Sequence, residues 1–183
     1  MAHPSPEELL EKMRLAREAG EAERPSPEQL KRHRELLTCC PAFTPNLLEY
    51  ARLLRLNDDP HVDGDAMLVE THQTLELAVQ GSNRGAVEVL AYARFVDTFR
   101  GPPEKAEQLY LEGATKARAL LEEAWTSLLD FWTLENRKET LVKALELGAL
   151  AEKVFPDSAS IQLATAKARD FAAHAGLIEP EQP

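Results

Sequence analysis

The chain holds two cysteines, Cys39 and Cys40, side by side, which excludes a disulfide framework and any metal site built on spaced thiolates. Ahead of Pro41 they read as small apolar residues at a helix end in a reduced compartment. Runs of about eighteen apolar residues are missing, and the start MAHPSPEELLEKM has acids where a secretion signal needs a basic start and an apolar centre. A soluble, cytoplasmic protein is the expectation. Positive charge is scarce as well: 21 Lys plus Arg stand against 31 Asp plus Glu, a net charge of -10, which argues against a general nucleic-acid surface. The early helix EELLEKMRLAREA carries four acids against three bases, so anionic lipid has little to attract, and no membrane partner is expected.

The motifs of common chemistry are absent too. None of the five histidines stands in a His-Glu-x-x-His or Glu-x-x-His pattern, so zincin and di-iron arrangements drop out. There is no Gly-x-Ser-x-Gly elbow, and GSNRGAVEV at 81 to 89 lacks the Walker lysine and serine. No catalytic residue and no cofactor is assigned. An enzyme or small-ligand protein stays open in one form only, a site assembled between helices that brings His33, His72 or His174 beside carboxylates.

What is present is helix. Ala, Leu, Glu, Lys and Arg dominate, β-branched runs are rare, and Pro, Gly, Asn and Asp punctuate. PSPEELLEKM at Pro4 and PSPEQLKRHR at Pro25 each place a serine cap ahead of a proline and acidic or amide residues, predicting helices over 5 to 19 and 26 to 38. Further helices are predicted over 44 to 56, 65 to 80, 83 to 99, 104 to 129, 134 to 154 and 158 to 174, giving eight. In the sixth, Tyr110, Ala114, Ala117, Leu121, Ala124 and Leu128 recur at alternating intervals of four and three and should face a partner helix. Leu141, Ala144, Gly148, Ala151 and Phe155 repeat the idea in the seventh. Trp125, Trp132 and Phe131 are expected to share an aromatic core.

LLEYARLL at 47 to 54 is echoed by VLAYARFV at 89 to 96, aligning Tyr50 with Tyr92, Ala51 with Ala93 and Arg52 with Arg94. One helix lies between the copies, so the unit is a helix pair, and pairs with half their apolar surface uncovered must stack. On this echo, on Ala144, Gly148, Ala151 and Pro156, and on Ala106, Tyr110 and Gly113, the chain resembles the tetratricopeptide-repeat family. Gly148 and Gly113 depart from the family's usual residues, and the repeat offset exceeds the family's period of about 34 residues.

The resemblance implies an all-α fold of antiparallel helix pairs stacked as a short right-handed array. Residues 1-43 would form an N-terminal hairpin packed on an array over 44-176, followed by a flexible tail at 177-183. It also implies a noncatalytic scaffold that binds a protein or peptide on the first helix of each pair, which points to Glu49, Arg52, Arg55, Arg94 and Thr98. Tyr50 and Tyr92 are expected in the core with their hydroxyls at its edge. Homo-oligomerisation through the Ala-rich helices 104-129 and 134-154 is a further expectation.

One stretch stands apart. Residues 57 to 83 hold Asp58, Asp59, Asp63, Asp65, Glu70 and Glu76 with no Lys or Arg, an acidic corner suited to a basic partner. DPHVDGDAMLVE also fits part of a calcium loop, with Asp59, Asp63, Gly64 and Glu70 at positions 1, 5, 6 and 12 and Asp65 adding oxygens. His61 at position 3, Ala66 at position 8 and the lack of a twin loop oppose that reading, and no metal is favoured. Asp63 or Asp65 as a helix cap accounts for the turn.

Overall fold

Two serines open the molecule's first two helices. In the computed structural model, which describes residues 4–20, 24–59, 61–99 and 101–179, Ser5 caps α1 (Pro6–Glu18). Its hydroxyl accepts from the Glu8 amide at 3.2 Å, while the Glu8 carboxylate accepts from the Ser5 amide at 2.9 Å. Ser26 caps α2 (Pro27–Cys39) by accepting from the Gln29 amide at 3.0 Å, and it donates at 2.6 Å to the Ala19 carbonyl at the end of α1. One hydroxyl thus serves the end of one helix and the start of the next.

α3 (Thr44–Leu56), α4 (Gly64–Gly81), α5 (Ala86–Thr98), α6 (Pro103–Glu135), α7 (Lys138–Val154) and α8 (Ala159–His174) follow, making eight helices and no strand among the described residues. Three boundaries differ from expectation by three residues or more, among them the start of α7, which falls at Lys138 and not at 134. α5 starts three residues late because Asn83 (φ 53°) and Arg84 (φ 60°) adopt left-handed backbone, with the Arg84 amide donating at 2.7 Å to the Val79 carbonyl. α6 runs on to Glu135 instead of ending at 129, since DFWTLE contains no breaker, and Asn136 (φ 49°) makes the turn.

The chain divides into two compact units, Met1–Lys116 and Ala117–Pro183, with the border inside α6. In the first, α1 packs on α2, α3 on α4 and α5 on the opening turns of α6, each pair antiparallel because its connection is short. Leu75 and Val79 of α4, Val89, Tyr92 and Val96 of α5 and Leu109 of α6 share one core. The hairpin expected over 1-43 falls in this unit. Tyr50 and Tyr92 are 0% and 5% exposed, as their place on the apolar stripe requires.

In the second unit α7 lies along α8, and Leu141, Ala144, Gly148, Ala151 and Phe155 are all buried. A methyl group on Gly148 would meet Thr165 of α8 at 2.7 Å, so glycine sets the spacing there. Gly113 does the same in the first unit, where a Cβ would lie 2.6 Å from Leu90. Both departures from the family pattern therefore fall at close helix contacts. Trp125 meets Phe155 edge to face at 5.7 Å, and Trp132 is half-buried against the same core, while Phe131 is exposed.

The stripe predicted for α6 is the main correction. Ala114, Ala117, Leu121, Ala124 and Leu128 are exposed and Tyr110 only half-buried; Ala106, Leu109, Gly113, Leu129 and Thr133 make the buried contacts instead. Of the tail expected at 177-183, residues 180 to 183 lie outside the described residues.

Candidate functional site

Leu47, Tyr50, Ala51 and Leu54 bury one side of α3, which fixes Glu49 and Arg52 on the other. There Arg52 donates to Glu49 at 2.8 Å, across one helical turn. That hydrogen bond holds the Glu49 carboxyl below its ordinary range against the opposing effect of burial, and the charges of Arg52 and Arg17 add to it. Arg17 of α1 therefore joins this face, a residue the sequence did not associate with α3.

Arg55 lies one turn beyond Arg52. Its guanidinium is pushed down from arginine's ordinary value, first by burial and then by the like charges of Arg94 and Arg52. No carboxylate stands among these influences, and neither Arg55 nor Arg94 forms an ion pair among the described residues. Arg52 of α3 and Arg94 of α5 thus lie near enough to Arg55 for their charges to act on it. Thr98 differs: its hydroxyl donates at 2.7 Å to the Arg94 carbonyl of its own helix. Tyr110 borders the patch, donating to Asp97 at 3.3 Å.

The echoed tyrosines point their hydroxyls into two polar clasps. Tyr50 donates to Glu70 at 2.5 Å, while Arg34 donates to the Tyr50 hydroxyl at 3.0 Å and to both Glu70 oxygens at 3.1 and 2.9 Å. Burial, then the hydrogen bond and charge of Glu70, raise the Tyr50 hydroxyl well above a free phenol. In the second clasp Lys105 donates at 2.8 Å to the Tyr92 hydroxyl, which lies 2.8 Å from His72 Nε2 and 3.1 Å from Glu76. Burial raises Tyr92 also, with Lys105 opposing. This clasp borders a cleft of about 460 Å³ whose apolar walls include Leu68, Val69, Phe95 and Phe99. The echo in sequence marked both tyrosines, but Arg34 and Lys105 come from other helices and carried no signal of their own.

Of the three histidines weighed for a site between helices, His72 stands with Glu76 in the cleft beside Tyr92, and His174 stands with Asp170 in an open one of about 530 Å³ at the end of α8. His33 is buried, with Nδ1 2.7 Å from the Asn46 side-chain oxygen and Asn46 returning a bond to the His33 carbonyl at 3.1 Å. Its Nε2 has no partner, and burial lowers its pKa, so the ring is neutral. His174 is exposed beside Asp170 on the last turn of α8.

In the acidic corner the carboxylates serve the turn and the start of α4. Asp59 accepts from the His61 amide at 2.9 Å, and Asp63 caps α4 by accepting from the Asp65 amide at 3.0 Å. Glu70 is turned away into the Tyr50 clasp. Among the described residues no three His, Cys, Asp or Glu side chains converge in a way that would hold a metal. Asp58 and Asp65 are exposed. No helix among the described residues is long and apolar enough to cross a membrane.

Comparison with known proteins agrees with this architecture. The model of the Myxococcota tetratricopeptide repeat protein family matches residues 1–83. A Myxococcus xanthus protein described as the uncharacterized 18.1 kDa protein in carS 3′region is 34% identical over 171 residues, spanning 91% of this chain and 95% of its own length. No solved structure matches.

Proposed function

Because the chain belongs to the Myxococcota tetratricopeptide repeat protein family, we propose that it is a noncatalytic scaffold that binds an acidic segment of a partner protein on the face carrying Arg52, Arg55 and Arg94. The observation that carries the proposal is Arg55. In a chain of net charge -10, its electrostatic neighbours are two further arginines and no acid. Like charges held together raise one another's free energy, and a carboxylate-bearing ligand relieves that repulsion while gaining forked hydrogen bonds. Glu49 keeps Arg52 in place, and Arg17 widens the positive surface. The partner for this face is therefore acidic; a basic partner, the other expectation, would address the corner from Asp58 to Asp65.

The test is fluorescence anisotropy of a labelled Asp/Glu-rich peptide titrated with the full chain, beside a Lys-rich control. The acidic peptide should bind, more weakly as salt rises. The double variant Arg55→Ala/Arg94→Ala should weaken it about tenfold or more. Equal binding of both peptides, or an unchanged affinity in the double variant, would remove the proposal.

A second reading, a small ligand in the 460 Å³ cleft, rests on the meeting of His72, Glu76 and Lys105 at Tyr92. These groups already satisfy one another, which favours a clasp between helices as their role.

A further inference from the structure

The stripe that α2 buries is mostly polar. It consists of Gln29, His33 and Leu36, and two of these carry an atom with no partner among the described residues, Gln29 Oε1 and His33 Nε2. His33 is the more consequential, because it is fully buried and can take up a proton.

The neighbours of the ring fix which nitrogen carries hydrogen. Asn46 of α3 donates through its amide nitrogen to the His33 carbonyl at 3.1 Å, so its side-chain oxygen faces Nδ1 at 2.7 Å and Nδ1 must be the donor. Neutral His33 therefore keeps its lone pair at the unpartnered Nε2. The ring of Tyr50 stacks alongside, its hydroxyl already engaged by Glu70 of α4 and Arg34 of α2. Of the charged groups that act on the imidazole, Arg17 of α1 and Arg52 of α3 oppose a proton, and Glu49 of α3 alone favours one. Glu49 is itself held by Arg52 at 2.8 Å. A proton on Nε2 would thus create a buried cationic N–H with no acceptor among the described residues.

The helices on the two sides of this seam are separable. The core shared by α3, α4, α5 and the start of α6, from Ala51 to Leu109, includes no residue of α1 or α2. We propose that His33 is a proton-operated latch: with the ring neutral the hairpin of α1 and α2 is docked on α3, and protonation at Nε2 releases the hairpin while the core from α3 onward stays folded. The sign follows from linkage. In the released hairpin the ring titrates near the ordinary 6.5, and in the docked one only at lower pH, so docking is fully favoured above 6.5 and weakens as pH falls below it.

Hydrogen exchange of the full chain, read by mass spectrometry and corrected for the intrinsic effect of pH on amide exchange, tests the latch. Between about pH 7.5 and about pH 5.5, protection over α1 and α2 should fall about three- to tenfold, the change that one histidine can supply. Protection over α7 and α8 should hold. His33→Gln should abolish the fall, and His72→Gln, which alters the clasp at Tyr92, should retain it. Should His33→Gln not fold, nitrogen NMR of the wild-type histidines still decides: at neutral pH His33 should carry hydrogen on Nδ1 and none on Nε2. Protection over α1 and α2 that does not change, a fall shared by all helices, a fall that persists in His33→Gln, or hydrogen on Nε2 at neutral pH would overturn the proposal.

Discussion

Tyr50 and Tyr92 stand at the same place in the repeated phrase, yet their clasps are mirror arrangements of charge. Tyr50 takes its cation, Arg34, from the preceding helix and its carboxylate, Glu70, from the following one. Tyr92 takes Glu76 and His72 from the preceding helix and Lys105 from the following one. What the repeat preserves is a phenol hydroxyl at the rim of the core with an acid and a base to satisfy it. Which side supplies each charge is free to change, because a hydroxyl both donates and accepts. The clasps also differ in reach. Arg34 grips both oxygens of Glu70 and the hydroxyl, whereas Lys105 offers a point charge to a hydroxyl that must choose between His72 and Glu76.

Three substitutions and one titration put this contrast to the test. The largest effect is expected for Tyr50→Ala, which empties a site 0% exposed and abandons Glu70 and Arg34 together: about 3 to 5 kcal/mol of stability, read from the urea midpoint. Next comes Tyr50→Phe, which keeps the ring and removes the hydroxyl from a bidentate ion pair, for about 1 to 3 kcal/mol. Tyr92→Phe should cost less, about 0.5 to 1.5 kcal/mol, since Lys105 and Glu76 can turn toward water. Equal losses for the two Phe variants would erase the distinction between the clasps.

The smallest effect concerns His33, whose ring stacks 6.4 Å from that of Tyr50 and has no counterpart at Tyr92. Its folded pKa lies below the ordinary 6.5, so the unfolded chain takes the proton first. The stability it contributes is complete above 6.5 and is lost as pH falls toward the folded pKa. The gap in melting temperature between wild type and His33→Gln should therefore narrow from about pH 7 to about pH 5. A gap that widens would mean the buried ring is charged.

Much of the fold was legible because most apolar stripes are covered by helices of their own unit. The stripe from Leu141 to Phe155 is covered by α8 together with Trp125, Leu129 and Trp132 of α6, and that of Leu47, Tyr50, Ala51 and Leu54 by neighbours in the first unit, so periodicity and burial agree. α6 has the same periodicity and the opposite outcome. The spacing of a stripe does not say whether it is buried: Ala117, Leu121, Ala124 and Leu128 are exposed, whereas Leu141, Ala144, Gly148 and Ala151 are buried. Asn83 and Arg84 eluded the reading for a local reason: left-handed backbone at two successive residues other than glycine has no strong sequence mark. At the candidate site, the outward placement of Arg52, Arg55 and Arg94 was legible, since each follows from the side its own helix buries. Arg17, Arg34 and Lys105 reach their partners from other helices, and such a meeting is fixed only by packing.

Arg84 holds its unfavourable backbone angle while its side chain grips Glu112 of α6, with Nε 2.7 Å from a carboxylate oxygen. Two selective pressures act at this one position in opposite directions. Glycine would relax the turn but surrender the grip, and lysine would retain the charge with neither the relaxed backbone nor the planar fork. A lineage drifting here has no single-step improvement to find unless position 112 changes with it, so the two sites are expected to vary as a pair.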